Sequence, residues 1–327
     1  MKIETFFDFC SGIGAGRLGL EQCGFKCVGR SDTSRLADIT YKLMHSTENE
    51  KNYGDLRKIQ DCQLPNFDLL IAGFPCQSFS VIGKQEGFKD NRGQIIFHIA
   101  RLLAIYQPKC FILENVKGLV THDNGKTIKT IINVLNQAGY ITSYRVIASL
   151  NFGVPQMRER VYFIGFQKNL KIDVKKFRWP QPIPTPNLNQ FLIDEYNHPT
   201  KTDIDYFMKY LVNPINASRK YSFNDFLKEE YLILDTRMSD MRLYRNKVPT
   251  LRAQRDGIYY IKNSELRYLS GYEALLLQGF PKYYADKVKT KVSNRHLLMQ
   301  AGNAMTVNVI NALGNCIKTF FNQEELE

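Results

Sequence analysis

Residues 4–16 read ETFFDFCSGIGAG, a stretch that predicts a strand, a turn and a helix in succession. The run from Glu4 to Phe9 is typical of a buried strand, and the glycine-rich turn after it opens an amphipathic helix from about Ala15 to Cys23. Asp32 follows this turn by about 20 residues, a spacing that suits a carboxylate binding ribose hydroxyls. Together with backbone amides at a helix N-terminus, this layout predicts a site for an adenosine-containing cofactor.

The glycines of this turn do not fit a pyrophosphate-binding site. In the pattern G-x-G-x-x-G counted from Gly12, the third glycine would fall on Arg17. A nicotinamide oxidoreductase is therefore disfavoured, whereas a cofactor without phosphates is compatible with the turn. A glycine cluster that serves only as a tight turn is the alternative at this point.

Strand-like and helix-like segments alternate through the first 170 residues. We expect further strands at Phe25–Val28, Phe67–Ala72, Cys110–Leu113 and Val161–Phe166, and helices at Ile95–Ile105 and Thr127–Gln137. Such alternation predicts an α/β fold with a doubly wound, mostly parallel sheet. Ligands of such sheets bind at the carboxyl ends of the strands.

Length, composition and charge limit the class of protein. The chain has 327 residues, 44% hydrophobic and 23% charged, which is typical of a globular protein and, at roughly 150 residues per domain, of about two domains. No run of about 18 uncharged apolar residues predicts a membrane span. Charged residues within the first apolar run (Lys2, Glu4 and Asp8) argue against a signal peptide, so we expect a cytoplasmic protein.

Basic residues outnumber acidic ones, and the net charge is +12. This excess favours a polyanionic partner such as nucleic acid, although a solubilising surface is an equal alternative from charge alone. The seven cysteines include no C-x-x-C pair, and the five histidines are scattered. We therefore expect neither disulfides nor a metal site.

A proline-rich stretch marks a boundary in the chain. Four prolines occur in the eight residues from Trp179 to Pro186, which excludes a continuing helix or central strand. From there to about Tyr268 the periodicity is poor and charge is dense, so we expect a smaller, irregular domain. Helical patterns resume at Tyr272–Gln278 and Val307–Thr319.

Two candidate reactive residues follow predicted strands. Cys76 comes shortly after the strand that ends at Ala72 and has the polar neighbours Gln77 and Ser78, although a free cysteine is more commonly a buried small hydrophobe. Glu114 directly follows four apolar residues, where it is either a strand terminator or an acid beside a nucleophile. The glycines between Val81 and Gly93 predict a mobile lid.

Taken together, the motifs and their order resemble those of the DNA cytosine carbon-5 methyltransferases. After the glycine-rich turn, the motifs are Pro75-Cys76-Gln77, Glu114-Asn115-Val116, Gln156-x-Arg158-x-Arg160, Arg267-x-Leu269 with Glu273, Gly279-Phe280-Pro281, and Gln300-Ala301-Gly302-Asn303. The resemblance covers residues 1–178 and about 265–327, with Pro249-Thr250-Leu251 between them. It implies a bacterial enzyme of the restriction-modification type that methylates carbon 5 of cytosine in duplex DNA.

The resemblance implies S-adenosylmethionine as cofactor and S-adenosylhomocysteine as product. In the family, the residue corresponding to Asp32 binds the ribose hydroxyls, and the one corresponding to Asp55 accepts from the adenine amino group. By position, the cofactor residues are Cys10, Ser11, Gly12, Ile13, Gly14, Asp32, Thr33, Asp55, Leu56, Pro75, Ile95, Asn303 and Ala304. The chain departs from the family at Cys10 and Thr33, where an aromatic residue is usual, and at Ala304, where a serine is usual.

The resemblance also assigns catalytic roles. Cys76 would add to carbon 6 of a flipped cytosine, Glu114 would bind ring N3 and the exocyclic amine, and Arg160 would bind the carbonyl oxygen. Arg158 would support the Cys76 loop. The expected DNA-binding residues are Gln77, Ser80, Arg237, Arg242, Arg245, Thr250, Arg252 and Arg255. Between Arg237 and Arg255 the chain also has Lys247 and a single acid, Asp240, which favours a basic DNA-reading surface.

These roles predict a division of the chain and a set of partners. We expect a catalytic domain at 1–179 completed by 290–327, a target-recognition domain at 180–268 and a connecting segment at 269–289. The expected partners are double-stranded DNA and, through function alone, a restriction endonuclease, with the enzyme acting as a monomer at the nucleoid and not at a membrane. The alternatives are a tRNA cytosine-5 methyltransferase, which the long variable segment disfavours, and a non-catalytic DNA-binding relic, which the intact Cys76 and Glu114 disfavour.

Overall fold

The computed structural model describes residues 2–75, 95–195, 197–213, 221–236, 241–253 and 257–326. The strands are β1 (Thr5–Phe9), β2 (Lys26–Ser31), β3 (Leu69–Gly73), β4 (Cys110–Val116), β5 (Tyr140–Ala148), β6 (Gln156–Met157), β7 (Glu159–Gln167), β8 (Ile233–Asp235), β9 (Arg242–Tyr244), β10 (Val248–Pro249), β11 (Ile258–Lys262) and β12 (Glu265–Tyr268). The helices are α1 (Ala15–Glu21), α2 (Arg35–His45), α3 (Ile95–Tyr106), α4 (Lys126–Gln137), α5 (Lys201–Leu211), α6 (Phe223–Phe226), α7 (Gly271–Leu277), α8 (Lys282–Val288), α9 (Asn294–Asn303) and α10 (Val307–Leu326).

A six-stranded sheet in the order β2-β1-β3-β4-β7-β5 forms the centre of the first unit. Strands β2, β1, β3 and β4 pair in parallel, and β7 runs antiparallel to both β4 and β5. The strands β1, β3 and β4 are almost fully buried, as their continuous apolar sequences predict. The predicted α/β fold with a mostly parallel sheet is confirmed.

The ends of these strands place Asp32, Glu114 and Asn115 at one edge of this sheet. Strand β2 continues to Ser31, three residues beyond its predicted end, and Asp32 follows directly. Strand β4 continues to Val116, so Glu114 and Asn115 belong to the strand instead of ending it. Pairing of Gly73 with Glu114 brings the ends of β3 and β4 side by side.

Small residues let the last helix pack closely on the first one. A Cβ atom at Gly19 of α1 would lie 2.7 Å from Cβ of Ile310, and one at Gly314 of α10 would lie 2.7 Å from Sγ of Cys23. Both distances are shorter than real Cβ contacts, so the crossing requires glycine on each helix. The C-terminal helix therefore completes the same unit as the N-terminal strand and turn.

The segment after the prolines is more regular than its sequence pattern predicts. It contains a four-stranded sheet in the order β12-β11-β8-β9, in which all pairs are antiparallel, and strand β10, which pairs in parallel with β6 from the chain before the prolines. A separate apolar core lies against the larger of these sheets, with Phe207, Phe226, Leu234, Tyr259 and Ile261 among its residues. Strands of three to five residues are too short to give a clear period, which explains why the sequence predicts an irregular segment.

The chain packs as two units. The first contains Met1–Ala148, Glu159–Pro182 and Ala304–Glu327, and the second contains Ser149–Arg158 and Ile183–Asn303. The second unit thus includes residues 183–268 of the predicted recognition segment, the predicted connecting segment and residues 290–303; the functional division stays a prediction. None of the helices in the described residues is long and apolar enough to cross a bilayer.

Candidate active site

The glycine-rich turn forms an open cradle after β1. Gly12 has φ +54° and Gly14 has φ +82°, conformations that side chains rarely adopt. The amide of Gly14 donates to the carbonyl of Ser11 over 2.8 Å, which closes the turn ahead of α1. A Cβ atom at Gly12 would meet no atom within 4 Å, whereas one at Gly14 would lie 2.2 Å from Nε2 of His45. The turn therefore presents open space at Gly12 and is supported from behind by α2.

Asp32 is fixed beside this cradle. Its Oδ2 accepts from the amide of Gly12 over 2.8 Å, and its Oδ1 accepts from the amide of Ser34 over 2.7 Å. Asn52 holds the backbone of Asp32 from the other side: its Oδ1 accepts from the Asp32 amide and its Nδ2 donates to the Asp32 carbonyl, both over 3.0 Å. A carboxylate offers about four acceptor sites, so Asp32 can still bind hydroxyl donors.

Asp55 is held as an ionised acceptor at the same edge. Its carboxylate receives two hydrogen bonds from the Arg57 guanidinium, from Nε over 2.9 Å and from Nη2 over 2.7 Å. Hydrogen bonds from Arg57 lower the pKa of this carboxyl below its ordinary value. Gly54 precedes it with φ +69° and has open space at its Cβ position. Asn52 also accepts from the Gly54 amide over 3.0 Å, so one asparagine holds both acidic loops.

The remaining predicted cofactor residues differ in their surroundings. Cys10 has φ +50° and packs partly buried against the main core, where burial raises the pKa of its thiol to about 12. Thr33 and Pro75 are exposed, Leu56 is buried, and Ile95 contacts the main core. The buried hydroxyl of Ser11 has no hydrogen-bond partner among the described residues, which suits a polar ligand over the turn. Ala304 is buried in the first unit, whereas Asn303 ends α9 in the second, so its place in the pocket stays a prediction.

Glu114 and Arg160, whose catalytic roles stay predictions, form an ion pair across two neighbouring strands. The Nε atom of Arg160 lies 3.1 Å from Oε1 of Glu114, and the pairing of β4 with β7 brings the two residues together. The Glu114 side chain is 10% exposed and that of Arg160 is 13% exposed, so both members of the pair are mostly buried. A carboxyl group and a guanidinium so placed can bind a ring nitrogen and a carbonyl oxygen of one planar ligand.

Asn115 was not among the predicted site residues, although it lies next to Glu114. It is 2% exposed, and its Nδ2 donates to the carbonyl of Phe74 over 3.0 Å. This bond ties the end of β4 to the chain that leads out of β3 toward Pro75. The only sequence signal for this role is its position in the Glu-Asn-Val run.

Several predicted residues lie outside the described residues. They are Cys76, Gln77, Ser80, Arg237 and Arg255, together with the predicted lid from Val81 to Gly93. Their roles therefore stay predictions.

The described DNA-binding candidates all belong to the second unit. Arg242 and Arg252 are exposed, and the Thr250 hydroxyl donates to the carbonyl of Met157. Arg245 is ion-paired, with its Nε 2.7 Å from Glu229 Oε2. Arg242, Arg245 and Arg252 are thus all surface residues of this unit.

Arg158 is buried at 2% exposure in this unit, where its Nη1 donates to the carbonyls of Leu251 over 3.0 Å and Gly302 over 3.2 Å. The predicted support of the Cys76 loop by Arg158 concerns residues outside the described ranges and stays a prediction. Among the described residues, no group of three or more His, Cys, Asp or Glu side chains is arranged to hold a metal ion.

The sheet order, with four parallel strands followed by the antiparallel β7, defines a Rossmann-like α/β fold with the glycine-rich cradle at its edge. Solved structures of the same fold agree: the methyltransferase EhMeth of Entamoeba histolytica matches with a TM-score of 0.67 at 16% identity, over 99% of each chain. A mutant of Spodoptera frugiperda DNMT2 matches with a TM-score of 0.65 at 20% identity, over 97% of this chain and 99% of the other.

The chain belongs to the C-5 cytosine-specific DNA methylase family, whose family model matches residues 4–319. Curated relatives include the type II methyltransferase M.BsuFI of Bacillus subtilis, 37% identical over 96% of this chain and 72% of its own length. M.NgoBI of Neisseria gonorrhoeae is 35% identical over 93% of this chain and 90% of its own length. M.HhaI of Haemophilus parahaemolyticus is 32% identical over 93% of this chain and 91% of its own length. The protein is therefore a DNA cytosine-5 methyltransferase of the type that accompanies restriction systems.

Proposed function

We propose that this enzyme methylates carbon 5 of a flipped cytosine in duplex DNA through a covalent bond between Cys76 and carbon 6. The observation that carries the proposal is the Glu114–Arg160 pair on β4 and β7. This pair lies beside the end of β3, and three residues after that strand the chain reaches Cys76. A nucleophile and an acid at neighbouring strand ends can act on one base.

The residues around the glycine-rich turn fit S-adenosylmethionine. Asp32 has the acceptors for ribose hydroxyls, Asp55 is an ionised acceptor for an amino group, and the space at Gly12 and Gly54 is open to a ligand. When bound, S-adenosylmethionine supplies the electrophilic methyl group. Cys10 and Thr33 offer no aromatic face to the adenine, so hydrogen bonds and the turn carry more of its binding here than in relatives with aromatic residues.

Cytosine carbon 5 needs activation before it can attack a methyl group. Addition of the Cys76 thiolate to carbon 6 breaks the 5,6 double bond and places its electron pair on carbon 5. Glu114 protonates or hydrogen-bonds N3, and Arg160 donates to the carbonyl oxygen, which stabilises the charge that addition creates. After methylation, a base removes the carbon-5 proton, the double bond reforms and the thiolate leaves.

The target base must leave the duplex for this chemistry. A stacked cytosine shields carbon 6 and N3, and extrusion of one base costs about a few kcal/mol. The net charge of +12 favours binding to the DNA backbone. In a bacterial cell, the substrate would be nucleoid DNA in the cytoplasm, and a restriction endonuclease of the same specificity would be the functional partner.

Incubation of the purified protein with labelled S-adenosylmethionine tests this proposal. Plasmid DNA and bulk tRNA serve as rival substrates, and the modified cytosines are mapped by sequencing. We expect 5-methylcytosine at one short motif in the plasmid. Cys76→Ser should abolish it, because an alkoxide is far harder to form than a thiolate, while the exposed Cys62→Ser should remain active. Labelling of tRNA alone, or an active Cys76→Ser variant, would contradict the proposal.

A further inference from the structure

Two segments of the second unit run side by side. The pair β6-β10 aligns Val248 with Gln156 and Pro249 with Met157. The Val248 amide donates to the Pro155 carbonyl over 2.7 Å, which extends the contact by one bond. The segment that follows β10 contains Thr250 and Arg252, two of the residues expected to contact DNA.

Side chains hold both backbone polar groups of Leu251. The Oε1 atom of Gln156 accepts from the Leu251 amide over 3.1 Å, and Nη1 of Arg158 donates to the Leu251 carbonyl over 3.0 Å. Gln156 has 0% exposure and also donates through Nε2 to the carbonyl of Leu277 over 2.8 Å. Because these bonds are buried, water cannot replace them when they are lost. The position of the Leu251 backbone therefore depends on Gln156 and Arg158.

Gly302 also packs closely against the backbone that follows Leu251. A Cβ atom at Gly302 would lie 2.3 Å from the Ala253 nitrogen and 2.4 Å from the Arg252 carbonyl carbon. The same glycine accepts from Arg158 through its carbonyl over 3.2 Å. The backbone from Leu251 to Ala253 is thus in contact with an arginine, a glutamine and a glycine at once.

The two neighbours of Leu251 in the chain are less buried than Leu251 itself. Leu251 is 4% exposed and points into the unit, whereas its neighbour Thr250 is half-buried and Arg252 is exposed. Fixing the amide and the carbonyl of Leu251 fixes the two planar peptide units that join it to Thr250 and Arg252, and so limits the directions in which these neighbours project. A base contact needs such fixed geometry, because an arginine fork must meet two acceptor atoms together.

We infer that Gln156 and Arg158 are positioning residues for target recognition, which set Thr250 and Arg252 against the DNA by holding Leu251. This inference rests on the proposed function, since it assumes that the segment after β10 reads DNA. Gln156 and Arg158 thus have a different role from Arg160, which follows Arg158 by two residues and pairs with Glu114.

The test compares the motif methylated by wild type with that methylated by Gln156→Met, a variant of similar volume without the two amide bonds. The readout is the fraction of methylated plasmid cytosines outside the wild-type motif, mapped by sequencing. Gln278→Met is the matched control, because Gln278 is an equally buried glutamine of the same unit that donates to the Ala301 carbonyl over 2.6 Å. Arg158→Lys is a second variant in case Gln156→Met does not fold.

We expect Gln156→Met and Arg158→Lys to lower the preference for the motif by about tenfold, the amount that one lost base contact costs. Binding of S-adenosylhomocysteine should stay within about twofold of wild type, and Gln278→Met should keep the wild-type motif. An unchanged motif in both test variants, or equal relaxation in Gln278→Met, would overturn the inference. Failure of wild type to methylate any motif would instead overturn the proposed function.

Discussion

At the scale of single residues, the site depends on pairs of side chains that meet across strands. Glu114 and Arg160 are far apart in sequence but lie within 3.1 Å across β4 and β7. With both side chains mostly buried, their electrostatic interaction with a bound base is screened less than it would be in water. The pair can therefore respond strongly to charge that forms on the pyrimidine ring.

Glu114→Gln should reduce kcat by about 10²–10⁴-fold, the range of a general acid, because glutamine cannot supply a proton to N3. Affinity for S-adenosylhomocysteine should stay near that of wild type, since the role of Glu114 concerns the base. Single-turnover methylation and calorimetry measure the two quantities. Glu159→Gln is the control, because Glu159 is an exposed carboxylate paired with Lys117. An equal loss of cofactor affinity and rate would place Glu114 in the cofactor pocket.

The sequence predicts these reactive residues better than it predicts their supports. Glu114 stands out because an acid follows four apolar residues, and its motif is recognisable. Asn52 and Asn115 give no such signal, because an asparagine is common in loops and at strand ends. Their importance arises from partners that folding brings together, the loops at Asp32 and Gly54 for Asn52 and the Phe74 carbonyl for Asn115.

At the scale of elements, long apolar segments are well predicted and short ones are not. The helix expected at Ile95–Ile105 is Ile95–Tyr106, and the one expected at Thr127–Gln137 is Lys126–Gln137. Helix α2 is not predicted, because its buried face contains Thr40 and Tyr41 beside Ala37 and Met44, which is a weak apolar pattern. Strand β5 is not predicted either, because at the edge of the sheet it is exposed over much of its length.

Two glycines of one turn should respond differently to alanine. Both have positive φ, which costs an alanine about 1–2 kcal/mol, but only at Gly14 would the new Cβ collide with His45 and Tyr41. We expect Gly14→Ala to lower the urea midpoint more than Gly12→Ala. Gly12→Ala should instead weaken S-adenosylhomocysteine binding beyond its effect on stability, because its Cβ enters the open space. Wild-type affinity in Gly12→Ala would show that the cofactor lies elsewhere.

Arginines of the recognition segment should divide into two classes. Arg252→Ala should cost about 1–3 kcal/mol on the methylated motif and relax its sequence preference, as expected of a base contact. Arg245→Ala should weaken binding to all DNA sequences alike and only slightly, because Arg245 is already paired with Glu229. Competition binding with matched and mismatched duplexes measures both effects. A larger change of sequence preference for Arg245→Ala than for Arg252→Ala would contradict this assignment. An unchanged sequence preference in every arginine variant would show that the recognition surface lies elsewhere.

At the scale of the whole molecule, a buried acid links stability to pH. Asp8 lies in β1 with 0% exposure; its Oδ2 accepts from the Arg17 amide, and its Oδ1 has no hydrogen-bond partner among the described residues. Burial raises the pKa of this carboxyl from 3.8 to about 7. The folded protein therefore holds a proton that the unfolded chain releases between these values.

Because of Asp8, the free energy of unfolding of the wild type should fall as pH rises from about 4 to about 7. The contribution of this one group is at most about 1.4 kcal/mol per pH unit. The loss is absent below the unfolded pKa and complete above the folded one. Asp8→Asn should lack this part of the slope, because asparagine stays neutral. Urea unfolding at several pH values measures it, with the exposed Asp61→Asn as control. Parallel pH profiles for wild type and Asp8→Asn would refute the protonated state of Asp8.

Covalent trapping can detect the proposed attack of Cys76 on cytosine. Duplex DNA in which 5-fluorocytosine replaces cytosine cannot lose a carbon-5 proton, so the bond to the enzyme should persist after methylation. With S-adenosylmethionine present, wild type should form a complex that survives denaturation, and peptide mapping should place the base on Cys76. A complex formed equally by Cys76→Ser, or attachment to another residue, would contradict the account.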